Sequence, residues 1–472
     1  MLDLRLLVPE IFVGGLAMLT LVLELIAPPK ERKNLGVFTI VGIFVSLIVM
    51  LLHFLQLREI QGGMFFVDGY AAFFKLVFLV SALLVCLTVS SYDRPLIGRR
   101  GEFHALVLFA TLGLMIMVSA GELITLYVGL ELATVSFYIL TANLAGEDAR
   151  SSEAGLKYLI LSAISSAVLL YGFALVYGLT GTTMIQEIAC FSQPSPLFWL
   201  GIIFILAGFG FKIAVVPFHM WAPDIYEGAP TPVTAFLAVA SKAAGFAVFV
   251  RVFLSAFAVY QPHWVWLVAI IAAVTMIFGN LVAIPQHNIK RMLAYSSIAQ
   301  AGYLLVGLVA ANELGIKGIL FYSAAYVFAN VGAFAVTIAF SSYSEGDEIS
   351  EYSGLAKRSP FLAAAMVVYL LSLAGLPPLV GYAGKFYLFM SVIDSGYLWL
   401  AIVGMVMSMV SVYYYLSVVK VMYIGEVVDY RPVKINGPML ATLYICLLGT
   451  LLLGCYPEPL SRLANLALAF MF

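Results

Sequence analysis

The sequence predicts an all-α polytopic membrane protein with about fourteen transmembrane helices, two of them discontinuous. Three observations predict it. Of the 472 residues, 63% are hydrophobic and only 10% charged, where a soluble domain is about half apolar and about a quarter charged; the mean hydropathy is +1.05. A chain this apolar suits lipid, where spanning elements must satisfy their own backbone hydrogen bonds. The apolar residues fall into runs of roughly 20, the length of a helix that crosses a bilayer. The Lys and Arg residues between runs alternate in density, as they do when successive loops face opposite compartments.

The runs lie near 6–27, 35–56, 69–91, 103–119, 122–143, 154–179, 197–220, 231–258, 264–284, 291–310, 314–340, 360–393, 397–422 and 436–455. The first opens MLDLRLLVPE without a basic n-region, and Pro-Pro-Lys follows where a signal peptide would carry small residues. It therefore reads as a mature transmembrane helix. The seventh run carries Pro217 after Lys212 and continues as PFHMWAPDIYEG; the twelfth is too long for one plain helix and has Pro377 and Pro378 near its middle. Proline removes a backbone donor and clashes with the preceding turn. In lipid such a break persists only where it is buried in protein or lines a wet cavity.

One set of alternate loops holds Lys30, Arg32, Lys33, Arg94, Arg99, Arg100, Arg150, Lys290, Arg291, Lys357, Arg358, Arg431 and Lys434; the other has Arg5, Arg58, Lys317 and Arg462. The asymmetry places the first set in the cytoplasm. An even number of spans then leaves both termini on the outer side. The formal net charge of −1 offers no basic patch to nucleic acid. Cys86, Cys190, Cys446 and Cys455 show no metal-ligand or disulfide spacing, and there is no Walker loop or GxGxxG after a strand. The chain is expected to hold no metal, nucleotide or other cofactor.

Several charges remain within the runs: Lys75, Glu131, Lys157, Lys212, Lys242, Arg251, Lys385 and Lys420, with Glu24 near the end of the first. A charge at mid-bilayer costs at least about 2.5–3.5 kcal/mol on insertion scales and normally marks an ion path, a relay or a counter-ion. Glu131 and Lys242 sit centrally, Lys212 lies at the middle of the seventh run, and Lys385 follows the Pro-Pro break. A buried Glu–Lys pair that only fixes packing is the plainer reading of these four, but one carboxylate cannot neutralise three lysines. Burial disfavours the charged form of an unpaired lysine, so such a row can exchange protons through intervening water. Lys157 is one turn inside its span and can snorkel; Lys75, Arg251 and Lys420 read as snorkelling side chains and Glu24 as interfacial. His219, after the break at Pro217, fits a relay and a plain hydrogen-bonding role equally. His287 reads as loop, with a role at the cytoplasmic mouth as the alternative. Tyr295 and Tyr303, in LAYSSIAQAGY, are further relay candidates, although membrane helices also use such residues for packing.

The broken runs are the seventh and the twelfth. Five spans apart, they have opposite orientation, which points to inverted repeats around a conduction site. The expected division is three N-terminal helices in 1–100, a first repeat in 101–260, an inverted second repeat in 261–425 and a C-terminal helix in 426–472.

The stretch GFGFKIAVVPFHMWAPDIYEGAPTPVTAFLAVASKAAGFAVFVR resembles the central signature of the subunit N family of bacterial respiratory complex I, the NADH:quinone oxidoreductase. YVGLELATVSFYIL, EAGLKYLILSAISSA, HNIKRMLAYSSIAQAGY and SLAGLPPLVGYAGKFYLF are similar to further family segments in the same order, so the resemblance covers essentially the whole chain. It implies an antiporter-like fold of two inverted five-helix repeats, placed among the other antiporter-like and small membrane subunits of the complex. It implies a proton path in which Glu131 pairs with Lys212, Lys157 and Lys242 form an axial relay, and Lys385 is the terminal lysine. It also implies that NADH, flavin, iron–sulfur and quinone chemistry belong to other subunits. A subunit of the related multisubunit cation/proton antiporters and a non-pumping scaffold are the alternatives.

Overall fold

A helix supplies all its own backbone partners, and every apolar run becomes one. The computed structural model describes residues 7–28, 32–56, 63–92, 100–143, 149–341, 343–344, 346–427, 431 and 433–469. The first six spans are α1 (Val8–Ile26), α2 (Leu35–Gln56), α3 (Gly69–Val89), α4 (Arg100–Ser119), α5 (Leu123–Thr141) and α6 (Ala149–Thr180). The seventh is split into α7 (Pro196–Lys212) and α8 (Trp221–Gly228). Then come α9 (Thr231–Ala256), α10 (Ala258–Ala283), α11 (Ile289–Ala310) and α12 (Glu313–Ser341). The twelfth span is split into α13 (Pro360–Ala374) and α14 (Val380–Asp394), and α15 (Leu398–Ile424) and α16 (Gly437–Cys455) complete fourteen. Among the described residues, twelve helices are long and apolar enough to cross a membrane by themselves, and the two split spans account for the rest. Of the loop cations, Arg5, Lys30, Arg58, Arg94 and Arg99 lie outside the described residues. With successive spans running in alternate directions, Arg32, Arg100, Arg150, Lys290, Arg291, Lys357, Arg358, Arg431 and Lys434 all fall in connections or helix ends on the same side, which we call the basic end.

Local chemistry fixes where the helices start. Asp68 caps α3 by accepting from the Ala71 amide at 2.7 Å. Asn288 caps α11 by accepting from the amides of Lys290 at 2.9 Å and Arg291 at 3.2 Å. These caps satisfy amides that a helix leaves without an internal partner.

Both expected breaks are present and are built alike. After α7, Ala214 adopts a left-handed conformation (φ 57°) three residues before Pro217, whose peptide bond is cis; after α13, Gly375 (φ 86°) stands three residues before Pro378, also cis. The freed backbone groups find partners within the protein, as a low-dielectric setting requires. The Val216 amide donates to Thr275 Oγ1 of α10 at 3.1 Å, and Trp221 Nε1 donates to the Phe211 carbonyl at 2.8 Å. At the second break the Gly381 amide donates to Ser372 Oγ at 3.2 Å.

Helices without a hydrophobic drive between them associate through small residues that let backbones approach. A Cβ on Gly113 of α4 would lie 2.5 Å from the Ala133 amide nitrogen of α5, and one on Gly129 would lie 2.6 Å from that of Met117. Gly113→Val is therefore expected to force the hairpin apart at a cost on the order of 3 kcal/mol. The check is the amount of chain recovered in membranes, and recovery equal to the parent would contradict this packing. α10 and α11 cross the same way at Gly279 and Gly302.

A further amphipathic helix lies outside the list of runs. The amphipathic α17 (Glu458–Leu468) follows α16, buries Leu460, Ala464 and Ala467, and packs across the start of α3 near Gly69. It is 11 residues long, too short to register as a span.

Candidate functional site

Lys212 is the last residue of α7, and its side chain turns into the space between α5 and α6. Its ammonium donates to Ser162 Oγ at 2.7 Å and to Thr134 Oγ1 at 3.2 Å. Thr134 follows Glu131 by three residues on α5, so the two share a helix face. Glu131 is half-buried, and its Oε1 has no hydrogen-bond partner among the described residues. The resemblance implies a Glu131–Lys212 pair; here hydroxyls hold the ammonium and no carboxylate touches it among the described residues.

Lys242 follows a five-residue π-helical turn, Leu237–Ser241, within α9. Such turns widen the helix and recur at functional sites. The buried ammonium donates to Ser297 of α11 twice, to Oγ at 2.6 Å and to the carbonyl at 2.7 Å. One turn along α11, Gln300 Nε2 donates to the Leu373 carbonyl at 2.9 Å. That same carbonyl accepts from Lys385 Nζ at 2.9 Å. Lys385 also donates to the Ala374 carbonyl at 3.0 Å and to Ser408 Oγ at 2.9 Å, so it caps the end of α13, where a helix presents its negative pole. The Tyr303 ring lies 4.2 Å from this ammonium, a cation–π contact. The Tyr303 hydroxyl accepts from Asn280 at 3.2 Å, and Tyr322 donates to Gln300 Oε1. Hydrogen bonds thus join Lys242 to Ser297, and Gln300 to Lys385 through one shared carbonyl, with Ser297 and Gln300 a turn apart on α11 and lining one small cavity. A cavity of about 350 Å³ opens beside Lys385, lined by Tyr382, Phe386, Phe389, Ser408 and Met409 among others.

Lys157 lies apart from this row. Its side chain is 41% exposed and pairs with Glu153 at 2.7 Å and Asp224 at 2.8 Å. Arg291 of α11 pairs with Asp224 at 2.9 Å and with Glu227 at 2.7 Å. With Arg150 these residues line a polar cavity of about 250 Å³ at the basic end. Tyr158, next to Lys157, stacks on Trp221 with ring centres 5.2 Å apart. Lys157 therefore stands at a mouth, with α8 tied between α6 and α11.

The other candidates separate. His219 is half-buried at the break, its ring edge-on to Phe278 at 4.6 Å, beside the exposed Pro217 and Met220. Among the described residues its Nδ1 has no hydrogen bond of good geometry, its nearest engagement being with the Pro217 backbone, and it does not join the row. His287 is exposed, and among the described residues its backbone carbonyl accepts from Ile349 at 2.7 Å. Tyr295 is half-buried, and no hydrogen bond among the described residues ties it to the row. Pro377 and Pro378 are exposed, whereas Lys385 turns inward.

Three charges expected near the surface are buried instead. Lys75 pairs with Glu10 of α1 at 2.5 Å, with both side chains almost fully enclosed. Arg251 clasps Asp68 with two bonds, at 2.8 and 3.0 Å. Glu24 accepts from the Gly101 amide at 3.1 Å and lies 3.8 Å from Arg32. Snorkelling was expected because each lies near a span end; a partner elsewhere in the chain drew it inward. Lys420 is exposed, as expected. Ser162, Ser297 and Ser408 accept from the lysines, and Gln300 shares a carbonyl with Lys385; all are uncharged, so a search for charges in apolar runs passes over them.

A helical bundle of this order, with a lysine at each of two helix breaks, is the class of membrane subunit described by the family model "NADH:quinone oxidoreductase/Mrp antiporter, TM", which matches residues 120–411. NADH-quinone oxidoreductase subunit N of Desulforamulus reducens is 51% identical over 97% of this chain and 96% of its own length. That of Moorella thermoacetica is 49% identical over 100% and 99%. The chain belongs to the subunit N family of NADH-quinone oxidoreductase. A chain of respiratory complex I from Thermus thermophilus superposes with a TM-score of 0.82 at 32% identity, covering 96% of this chain and 98% of that one. A chain of the Mrp complex from Dietzia gives 0.89 at 21% identity over 99% and 97%, a likeness of fold alone.

Proposed function

We propose that the chain moves protons across the membrane as subunit N of NADH:quinone oxidoreductase, using the row Glu131, Lys212, Lys242 and Lys385. The observation that carries this reading is that Lys242 donates to Ser297, Gln300 and Lys385 donate to one Leu373 carbonyl, and Ser297 and Gln300 line one small cavity a turn apart on α11. Lys212 is the switchable carrier, sensitive to charge on Glu131 one turn from its hydroxyl partner Thr134. Lys385, beside the larger cavity, hands the proton toward the far side. Lys157 serves the mouth. The two breaks, alike in construction and opposite in direction, support inverted repeats in 101–260 and 261–425. The basic end is cytoplasmic, which puts both termini in the periplasm.

Moving one charge against 100 mV costs about 2.3 kcal/mol, so the drive comes from NADH oxidation and quinone reduction in partner subunits. Among the described residues no group of three His, Cys, Asp or Glu side chains is placed to hold a metal, and the redox cofactors are assigned to those partners. The neighbours are the other antiporter-like and small membrane subunits. Exchanger subunits share the fold at 21% identity, and the 49–51% relatives favour the redox complex.

The test is Lys242→Ala in the assembled complex sealed into vesicles. Protons moved per NADH oxidised should fall while assembly persists. An unchanged ratio in a fully assembled complex would leave the chain as scaffold only.

A further inference from the structure

Lys385 is held by three acceptors that differ in what they can do. The carbonyls of Leu373 and Ala374 accept from its ammonium at 2.9 and 3.0 Å, and a carbonyl can donate nothing in return. Ser408 Oγ accepts the third bond at 2.9 Å, while its own proton goes to the Ala374 carbonyl at 2.7 Å. All three ammonium protons are thus placed. A lysine that releases one becomes an amine with a lone pair, and the lone pair needs a donor. Among the described residues, Ser408 is the one hydrogen-bond partner of this lysine that can turn its proton round to supply it.

The Tyr303 hydroxyl lies beside Ser408, and the Tyr303 ring is the one 4.2 Å from the ammonium. Asn280 of α10 fixes this side chain. Its Nδ2 donates to the Met276 carbonyl at 2.8 Å and to the Tyr303 hydroxyl at 3.2 Å, and its Oδ1 accepts from the Tyr414 hydroxyl of α15 at 3.1 Å. The Met276 carbonyl can only accept, so it sets which end of the amide faces Tyr303. Because Asn280 donates to it, the Tyr303 oxygen sends its own proton elsewhere, and Ser408 is the neighbour on that side. Tyr414 packs on Tyr415 with ring centres 4.4 Å apart, and Tyr415 shares a hydrogen bond with Ser296 of α11. Asn280, Tyr303, Tyr414 and Tyr415 are all at most 1% exposed. Three helices therefore lock the amide in one orientation.

We propose that Asn280 is a positioning residue for proton release at Lys385, acting through the Tyr303 hydroxyl and Ser408. As Nζ gives its proton to water in the cavity beside it, the Ser408 hydroxyl turns from the Ala374 carbonyl to the amine lone pair. The Tyr303 proton, kept on that side by Asn280, holds the Ser408 oxygen through the turn. The Ala374 carbonyl keeps its bond from the Lys385 amine. Reprotonation reverses the turn, so no protein group but the lysine changes its proton count. The inference rests on the proton-carrying reading of the row.

The experiment measures protons moved per NADH oxidised by the assembled complex in sealed vesicles. Asn280→Leu removes the amide at nearly constant volume, and Asn280→Gln keeps the amide but adds a methylene. Tyr303→Phe keeps the ring beside the ammonium and removes the hydroxyl. Asn280→Leu and Tyr303→Phe should lower the ratio by the same fraction, and the two combined should lower it no further, because both act through one hydroxyl. Asn280→Gln should pump better than Asn280→Leu; a packing role requires the reverse, since an added methylene strains a filled core. A normal ratio in Asn280→Leu, with a loss in Lys385→Ala, would overturn the positioning role and leave the row intact. Normal ratios in both would overturn the row as well. Losses that add in the double variant, or leucine outperforming glutamine, would also overturn the proposal. If Asn280→Leu does not assemble, Asn280→Ala takes its place with the same outcomes; if neither assembles, the amide is structural and the proposal falls.

Discussion

Lys212→Ala and Lys212→Arg should both stop proton movement through this chain, and should do so without preventing assembly. The first removes the ammonium but leaves Thr134 satisfied, because its Oγ1 also donates to the Leu130 carbonyl at 2.6 Å. The second keeps the positive charge, but a guanidinium does not release its proton in proteins. A purely electrostatic role would survive the arginine; a carrier role would not. Proton transfer by a positioned side chain is worth roughly 10²–10⁴-fold in rate, so the step through this chain should slow by at least about 10². The measurement is acidification of vesicles holding the complex, set against NADH oxidation in the same sample. Full pumping by Lys212→Arg would remove Lys212 from the list of carriers.

The second large effect is on stability. Asp68 and Arg251 join the start of α3 to the far end of α9 by two hydrogen bonds, with side chains 3% and 5% exposed. The guanidinium also lies over the rings of Phe66 at 4.7 Å and Tyr70 at 5.1 Å, and the Tyr70 hydroxyl donates to the Ala247 carbonyl at 2.9 Å. Removing one partner of a buried ion pair leaves the other uncompensated, at about 3–5 kcal/mol. Arg251→Leu should therefore deplete the chain from membranes. Asp68→Leu combined with Arg251→Leu should recover much of it, since no lone charge remains. Abundance and assembly can be followed on native gels of solubilised membranes. Equal abundance of the single variant and the parent would show that the clasp contributes little.

These two sites also show what was legible in the sequence. Lys212 was visible because a charge amid apolar residues is conspicuous and Pro217 marks the break beside it. Spans and breaks follow from local rules about length, hydropathy and proline, so both were recoverable. Partners were not. Arg251 looked free to reach the membrane surface because Asp68 is 183 residues away in the chain, and Lys75 looked so because Glu10 belongs to another helix. Gln300 and Ser297 carry no charge and blend with the polar residues that membrane helices use for packing. For Lys157 the two lines of reasoning diverged. Its place one turn inside the span pointed to an exposed side chain, and that is where the structure puts it, while the resemblance alone set it within the axial relay.

The strap at the mouth has a consequence of its own. Asp224, Glu227, Arg291 and Lys157 are only partly enclosed, with 25–41% of each side chain exposed, whereas Lys242 and Lys385 are buried. Dissolved ions weaken attraction between exposed charges, over a Debye length of about 8 Å at physiological salt, and scarcely touch buried ones. The hold of α11 on α8 is thus set partly by the salt of the compartment it faces. Salinity on that side can slacken the mouth while the buried row stays as it was.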